Sequence, residues 1–311
     1  MRGKMPPTIV RPNNPNLASN RKALRSRVCA VARRGLIVCC VALLFLAAGK
    51  SAPSGIKIGA CGTVNTIGAT KAAGFDYVEL STTDLLALSD ADFAQFQNEI
   101  KQGGFPVLAT YTFIPANIKL TGPNIDKDQQ MAYVRKAMDR VAAVGAHIIV
   151  LGSGVARQVH DGFSHDAAFA QLVDFLQRIA PEARARNIVV TVEPQSSEES
   201  NIINSVAEGV KLIKAVNDPN IQLVLDFYYL EKTHEDPSAI VAASGYVRHF
   251  HFSNPNGRVY PLHWDEYNYA PFFAALREMN YAGGISIDAH TTNFASDAPQ
   301  TVAFLRDALN R

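Results

Sequence analysis

The chain has 311 residues, 48% of them hydrophobic and 19% charged, which excludes disorder and collagen-like repeats and leaves length for one large domain or two modest ones. The net charge of +2 is unevenly placed: residues 1–50 hold 10 of the 30 Lys and Arg and none of the 28 Asp and Glu, so residues 51–311 carry 20 basic against 28 acidic groups, a net of −8. An acidic body repels phosphate backbones and argues against a nucleic-acid partner.

Residues 1–50 read as an address. Arg21, Lys22, Arg25, Arg27, Arg33 and Arg34 precede GLIVCCVALLFLAAG, fifteen residues without a charge, and Ala47-Ala48-Gly49 supplies the small residues of a signal-peptide cleavage site. Cleavage is expected after Gly49, with residues 50–55 as a linker. The apolar run is shorter than the roughly 18 residues of a membrane-spanning helix. An uncleaved inner-membrane anchor is the alternative, and the only membrane contact expected. Arg33-Arg34 also resembles a twin-arginine signal, so a periplasmic or extracellular location is expected. Of the four cysteines only Cys61 lies in the body, which leaves no disulfide within the mature chain, and its place at the end of an apolar run reads as a core thiol.

From residue 56 the chain repeats one unit: a β-branched or apolar run, a loop, then a stretch of helical period. Strands are predicted at 56–60, 77–80, 106–111, 147–151, 188–193, 222–226, 247–252 and 284–288, with helices at 91–102, 129–144, 167–185, 206–216 and 270–279. Met131, Val134, Met138, Val141 and Ala142 form one helical stripe, and Gly74, Gly104 and Gly145 stand where helices should stop. Eight strand–helix units over residues 51–311 predict a (β/α)8 TIM barrel. An open doubly wound sheet is the rival, but Gly62-Thr63-Val64-Asn65 lacks its glycine-rich phosphate loop.

Catalytic groups of such barrels sit at the carboxyl ends of strands. From strand two onward those ends read Glu79, Tyr111, Gly152-Ser153-Gly154, Glu193, Asp226, His251 and Asp288. Neighbouring strands lie about 4.8 Å apart, so the last four can converge on one point. A lone carboxylate at a strand end is an ordinary cap or an arginine partner, but four ligand-type side chains in succession point to a metal site. Oxygen-rich ligation with one imidazole suits Mn²⁺, with Mg²⁺ or Co²⁺ as alternatives. Alternation along His249-Phe250-His251 turns both imidazoles to one side. His251, nearer the strand end, is the better ligand, and His249 either reaches a ligand or is a satisfied barrel histidine. Gly152-Ser153-Gly154 with Arg157 reads either as backbone N–H groups and a guanidinium offered to an anionic or polyhydroxylated ligand or as a tight turn. His263, Trp264 and Tyr267 read as an aromatic wall for a sugar face or as rim packing.

With these residues the chain resembles the xylose-isomerase-like barrel superfamily, in particular the sugar phosphate isomerase/epimerase group that includes ketose 3-epimerases. The resemblance spans roughly residues 56–311. It is carried by Val192-Glu193-Pro194, Asn201 to Gly209, Leu225-Asp226-Phe227-Tyr228-Tyr229, His249-Phe250-His251 and Met279 to Ile287. It implies that Glu193, Asp226, His251 and Asp288 are the metal ligands and that Glu193 and Asp288 also carry protons. It further implies that Glu199 binds sugar and, one place from the family's sugar-binding arginine, that Arg258 does so too. Two departures stand out: Asp288 replaces the usual glutamate, and Tyr229, a candidate substrate contact, replaces the histidine usually found three residues after the strand-six aspartate. Homo-oligomers are common in the family.

The chemistry so implied is proton abstraction next to a carbonyl through an enediolate, giving a sugar isomerase or epimerase. Export favours a free sugar or keto-sugar over a sugar phosphate. If the shorter Asp288 only ligates, the chemistry is one-sided, which suits isomerisation or dehydration, and a non-catalytic exported sugar-binding barrel is the alternative from another class. The superfamily's endonucleases need more histidines and a basic face, which the body lacks.

Overall fold

The apolar runs predicted as strands are strands in a computed structural model that describes residues 55–311: β1 (Lys57–Gly62), β2 (Tyr77–Ser81), β3 (Val107–Tyr111), β4 (Ile148–Leu151), β5 (Val189–Val192), β6 (Ile221–Asp226), β7 (Val247–Phe252) and β8 (Gly284–Ile287). The leader, its signal-peptide pattern and the expected cleavage point after Gly49 lie outside the described residues. The strands pair in parallel and in chain order, and β1 pairs again with β8, Lys57 opposite Gly284 and Ala60 opposite Ile287. That last pairing closes the barrel and removes the open-sheet rival.

The helices α1 (Ile67–Ala72), α2 (Thr82–Ala87), α3 (Asp90–Gly103), α4 (Lys127–Ala143), α5 (His165–Ala185), α6 (Val206–Val216), α7 (Phe227–Lys232), α8 (Ser238–Ala242), α9 (Ala270–Glu278) and α10 (Phe294–Asn310) connect or follow the strands. The sequence reading names α3, α4, α5, α6 and α9. The long ones start at side-chain caps: Ser89, Asp126, Ser164 and Ser205 each accept a hydrogen bond from the backbone N–H three residues on. Gly104 ends α3 in the left-handed region, φ 60°, where a side chain would be strained. Among the described residues no helix is long and apolar enough to cross a membrane.

Alternation sorts each strand into two faces. Ile58, Ala60, Val78, Leu80, Phe250, Phe252, Ile285 and Ile287 join the helices in the main core. A second, small apolar cluster holds Ala109, Ile148, Val150 and Val224. Tyr77, Glu79, His249, His251 and Ser286 are buried together on the β2, β7 and β8 side. Tyr77 lies against Gly59 and Gly284, and its hydroxyl is 2.8 Å from the Ser286 hydroxyl.

Candidate active site

Backbone register delivers the side chains. β6 and β7 pair Asp226 with His251, and β7 and β8 pair His251 with Ser286. β5 and β8 stop one residue short of the predicted ends, so Glu193 and Asp288 are the first residues beyond them. Both extend the ladders: Glu193 N–H donates to Leu151 O at 3.1 Å and Asp288 N–H to Phe252 O at 3.2 Å.

Glu193, Asp226 and His251 each bring a ligand atom within 4.8 Å of the others, all three buried. His251 Nδ1 lies 3.2 Å from Glu193 Oε1 and 3.7 Å from Asp288 Oδ2, the latter side chain 27% exposed and so the accessible one. Despite this proximity, Glu193 Oε1 and His251 Nδ1 make no hydrogen bond and are shielded from solvent. Two facing buried polar atoms outside hydrogen-bond geometry are costly unless a proton on the imidazole or a metal cation sits between them. The donor set of three carboxylates and one imidazole therefore fits a divalent ion.

Behind His251 stands Glu79, which the sequence reading places at a strand end without a role. It is wholly buried in β2, with Oε1 3.0 Å from His251 Nε2 and Oε2 2.8 Å from His249 Nε2. Burial opposes its ionisation, but the imidazoles of His251 and His249 outweigh burial and hold the carboxyl well below the usual carboxylate range. An ionised carboxylate only accepts, so both histidines donate from Nε2, and His251 Nδ1 faces Glu193 and Asp288. His249 Nε2, also 3.2 Å from Ser286 Oγ, is partnered while its Nδ1 is buried without a hydrogen bond, and the residue does not line the cavity.

Arg258 spans the mouth. Its Nη2 donates to Asp226 Oδ2 at 3.1 Å and Asp288 Oδ2 at 2.5 Å, and its Nη1 to the Tyr229 hydroxyl at 3.2 Å. Burial disfavours the guanidinium charge, yet Asp226 and Asp288 raise its pKa above the ordinary value. Burial pushes the Asp226 carboxyl up to about 7; Arg258 and His251 oppose the shift, and the negative charges of Glu193 and Asp288 add to it. For Glu193 burial also acts upward, but His251, Arg258 and the Gln195 amide win and lower it.

The open side is a cavity of about 230 Å³ lined by Tyr111, Glu193, Tyr229, His251, Arg258 and Asp288, among others. Thr112, Ser153 and Arg258 also line it, and all three are non-glycine residues at positive φ, 51°, 42° and 52°. Each costs on the order of 1 kcal/mol or more in that conformation. Strain gathered at one mouth marks a surface shaped for a task other than stability.

Other predicted site residues lie elsewhere. Arg157 is 1% exposed and points behind Glu193, because the main-chain oxygen of Glu193 and the Gln195 amide take its donors; burial lowers its pKa to about 10. Glu199 is exposed and does not line the cavity. Neither do His263, which is exposed, or Trp264, whose ring packs on Tyr269, Phe273 and Phe304 under Arg311. The aromatic wall is rim packing, and the Tyr267 hydroxyl is spent on Glu231 at 2.6 Å. Cys61 is half-buried in β1, its thiol pushed up by burial and by the carboxylates around it, Glu79 foremost.

The profile of the xylose isomerase-like TIM barrel family matches residues 67–308, and the chain belongs to that family. Among curated proteins it is 26% identical over 235 residues to an L-ribulose 3-epimerase of Methylomonas sp., covering 75% of this chain and 80% of the relative. It is 25% identical over 228 residues to a D-psicose 3-epimerase of Agrobacterium fabrum, covering 69% and 75%. A crystal structure of D-psicose 3-epimerase in the presence of D-fructose superposes with a TM-score of 0.73 at 20% identity, over 82% of this chain and all of that one. An apo 3-keto-D-glucoside 4-epimerase from E. coli does so with 0.69 at 18% identity, over 81% and 99%. At such identities the structures establish the shared fold.

Proposed function

We propose that the chain is a divalent-metal-dependent sugar isomerase or epimerase acting on a free sugar or keto-sugar, as the epimerase names of its curated relatives also support. One observation carries this reading: Glu193 Oε1 and His251 Nδ1 face each other at 3.2 Å, buried and without hydrogen bonds, beside Asp226 and at the floor of an open cavity. Glu193, Asp226, His251 and Asp288 would hold the ion, Mn²⁺ foremost with Mg²⁺ or Co²⁺ as alternatives. When bound, the ion would withdraw charge from a carbonyl and its neighbouring hydroxyl and so acidify the adjacent C–H.

The protein's own groups do the rest. Glu193 and Asp288 approach the cavity from different strands and are the two carboxylates able to take and return a carbon-bound proton. Return to the opposite face of the same carbon is epimerisation; return to the neighbouring carbon is isomerisation. Arg258 and Tyr229, tied to each other, offer a fixed cation and a hydroxyl to sugar oxygens and orient Asp288. The basic, apolar leader supports export of the enzyme to a periplasmic or extracellular location.

The test is metal analysis of the purified protein beside Asp226→Ala, with free ketoses followed by NMR in D₂O. Stoichiometric Mn, Co or Mg lost in the variant, and deuterium entering one sugar carbon, is the expected result. Metal bound without any deuterium exchange would favour a sugar-binding barrel, and loss of a hydroxyl would favour dehydration. No metal in either protein removes the reading.

A further inference from the structure

The glycine-rich loop after β4 carries Arg157 into the protein. Arg157 Nη2 donates to the main-chain oxygen of Glu193 at 2.7 Å and to Gln195 Oε1 at 3.1 Å. A guanidinium has no acceptor, so this contact fixes which end of the Gln195 amide faces it. The other end, Nε2, donates to Glu193 Oε2 at 2.8 Å. Glu193 is thus gripped twice by one chain of groups, at its backbone by Arg157 and at one carboxylate oxygen by Gln195. Its second oxygen, Oε1, is the one left facing His251.

The glycines explain themselves in the same geometry. A Cβ on Gly152 would lie 2.7 Å from Glu193 Oε2 and 2.8 Å from Gln195 Nε2; a Cβ on Gly154 would lie 2.3 Å from the Glu199 main-chain oxygen and 2.8 Å from Gln195 Oε1. Both glycines clear the slot in which the amide sits. Arg157 itself is poorly satisfied, since its Nε and Nη1 are buried without partners. A buried guanidinium in that state does not offset its own desolvation, so stability does not account for its presence.

We infer that Arg157 and Gln195 are positioning residues of the candidate metal site: Arg157 orients the Gln195 amide, the amide caps Glu193 Oε2, and Glu193 offers the cation a single oxygen, Oε1. The inference rests on the metal reading above. Partners that orient a ligand from behind commonly carry about 10- to 100-fold in metal affinity. Mn²⁺ titrated into the purified, metal-stripped protein against a competing chelator gives the readout. Gln195→Leu and Arg157→Met are each expected to weaken Mn²⁺ binding by about 10- to 100-fold. The double variant should lose less than the two single losses combined, because Arg157 acts partly through Gln195 and partly through its own bond to the Glu193 main-chain oxygen. A merely structural role would instead lower the melting temperature and let the two losses add.

Wild-type affinity in Gln195→Leu, or additive losses in the double variant, overturns the inference. Where Gln195→Leu does not fold, Gln195→Met serves: it keeps the length of the side chain but offers no N–H to Glu193 Oε2, and the same loss is expected, with unchanged affinity overturning the inference. Wild-type protein that takes up no Mn²⁺ would sink the metal reading and this inference together. Stoichiometric uptake with no effect of the variants would sink this inference alone.

Discussion

Glu79 Oε1 lies 3.0 Å from His251 Nε2 across the barrel interior, and its other oxygen serves His249 at 2.8 Å, so one buried carboxylate sets the orientation of both imidazoles. In Glu79→Gln one amide end still accepts, but the other presents N–H to an Nε2 that was donating. One histidine must then change tautomer. Mn²⁺ affinity, measured by chelator competition, should fall about 10- to 100-fold while the fold persists. Glu79→Ala leaves the pair broken and buried, and denaturant unfolding should show a loss of about 3–5 kcal/mol. Unchanged Mn²⁺ affinity in Glu79→Gln would count against this role.

Asp288 tests the proton chemistry. Removing its charge in Asp288→Asn should slow deuterium incorporation from D₂O into the sugar by about 10²- to 10⁴-fold. Asp288→Glu should also lose activity. Arg258 already meets Asp288 Oδ2 at 2.5 Å, and an added methylene drives the carboxylate past that contact. A displacement of about 1 Å can lose on the order of a hundredfold in rate. Full activity in Asp288→Glu would show that the shorter side chain sets nothing.

The Asp226 carboxyl, pushed up to about 7, gives the metal-free protein a defined pH response. An unfolded aspartate releases its proton near pH 4. Between roughly pH 4 and pH 7 the folded state therefore holds a proton that the unfolded state has lost, and this group's contribution to stability falls as pH rises through that window. Thermal melts of chelator-treated protein should show wild type losing ground to Asp226→Asn across that window, the gap levelling off above it. Parallel melting curves would contradict the raised pKa.

Two glycines separate packing from propensity. A Cβ on Gly59 would stand 2.2 to 2.6 Å from ring atoms of Tyr77, whereas one on Gly103 would meet nothing within 4 Å. Gly59→Ala should destabilise by about 1–3 kcal/mol through overpacking. Gly103→Ala, at the last position of α3, should be neutral or stabilise by up to about 1 kcal/mol. Denaturant midpoints of the two variants give the comparison.

The sequence is legible where physics is local. β-branched runs between glycines locate all eight strands to within two residues, and helical stripes locate α3, α4, α5, α6 and α9. Helices α1, α2, α7 and α8 have five or six residues, too few turns for a periodic signal, and α7 starts directly at the end of β6 with no loop to announce it. α10 has the length, but Pro299 interrupts its pattern. Glu193, Asp226, His251 and Asp288 are legible because each is a polar end on an apolar strand. Glu79 carries the same mark, and its role shows only once two histidines on one face are seen to need an acceptor. Gln195 gives no signal at all, since an amide two residues after a strand end looks like any loop residue. Arg157 and Trp264 read as ligand contacts because sequence shows that a side chain follows a strand end, not which way it turns.

The pairing of β1 with β8, Lys57 against Gly284, joins the start of the barrel to its end. A chain emerging from the ribosome can build β1 through β7 in order, yet it holds two open sheet edges until the last strand arrives. Such edges are templates for pairing with other chains, and contacts this far apart in sequence form slowly. α10 reinforces the late closure, its Arg306 bridging to Asp76 at 2.5 Å and its Thr301 hydroxyl donating to Pro261 O. A product terminated before residue 284 should therefore aggregate rather than fold, so closure of the barrel waits on β8 and the helix that follows it.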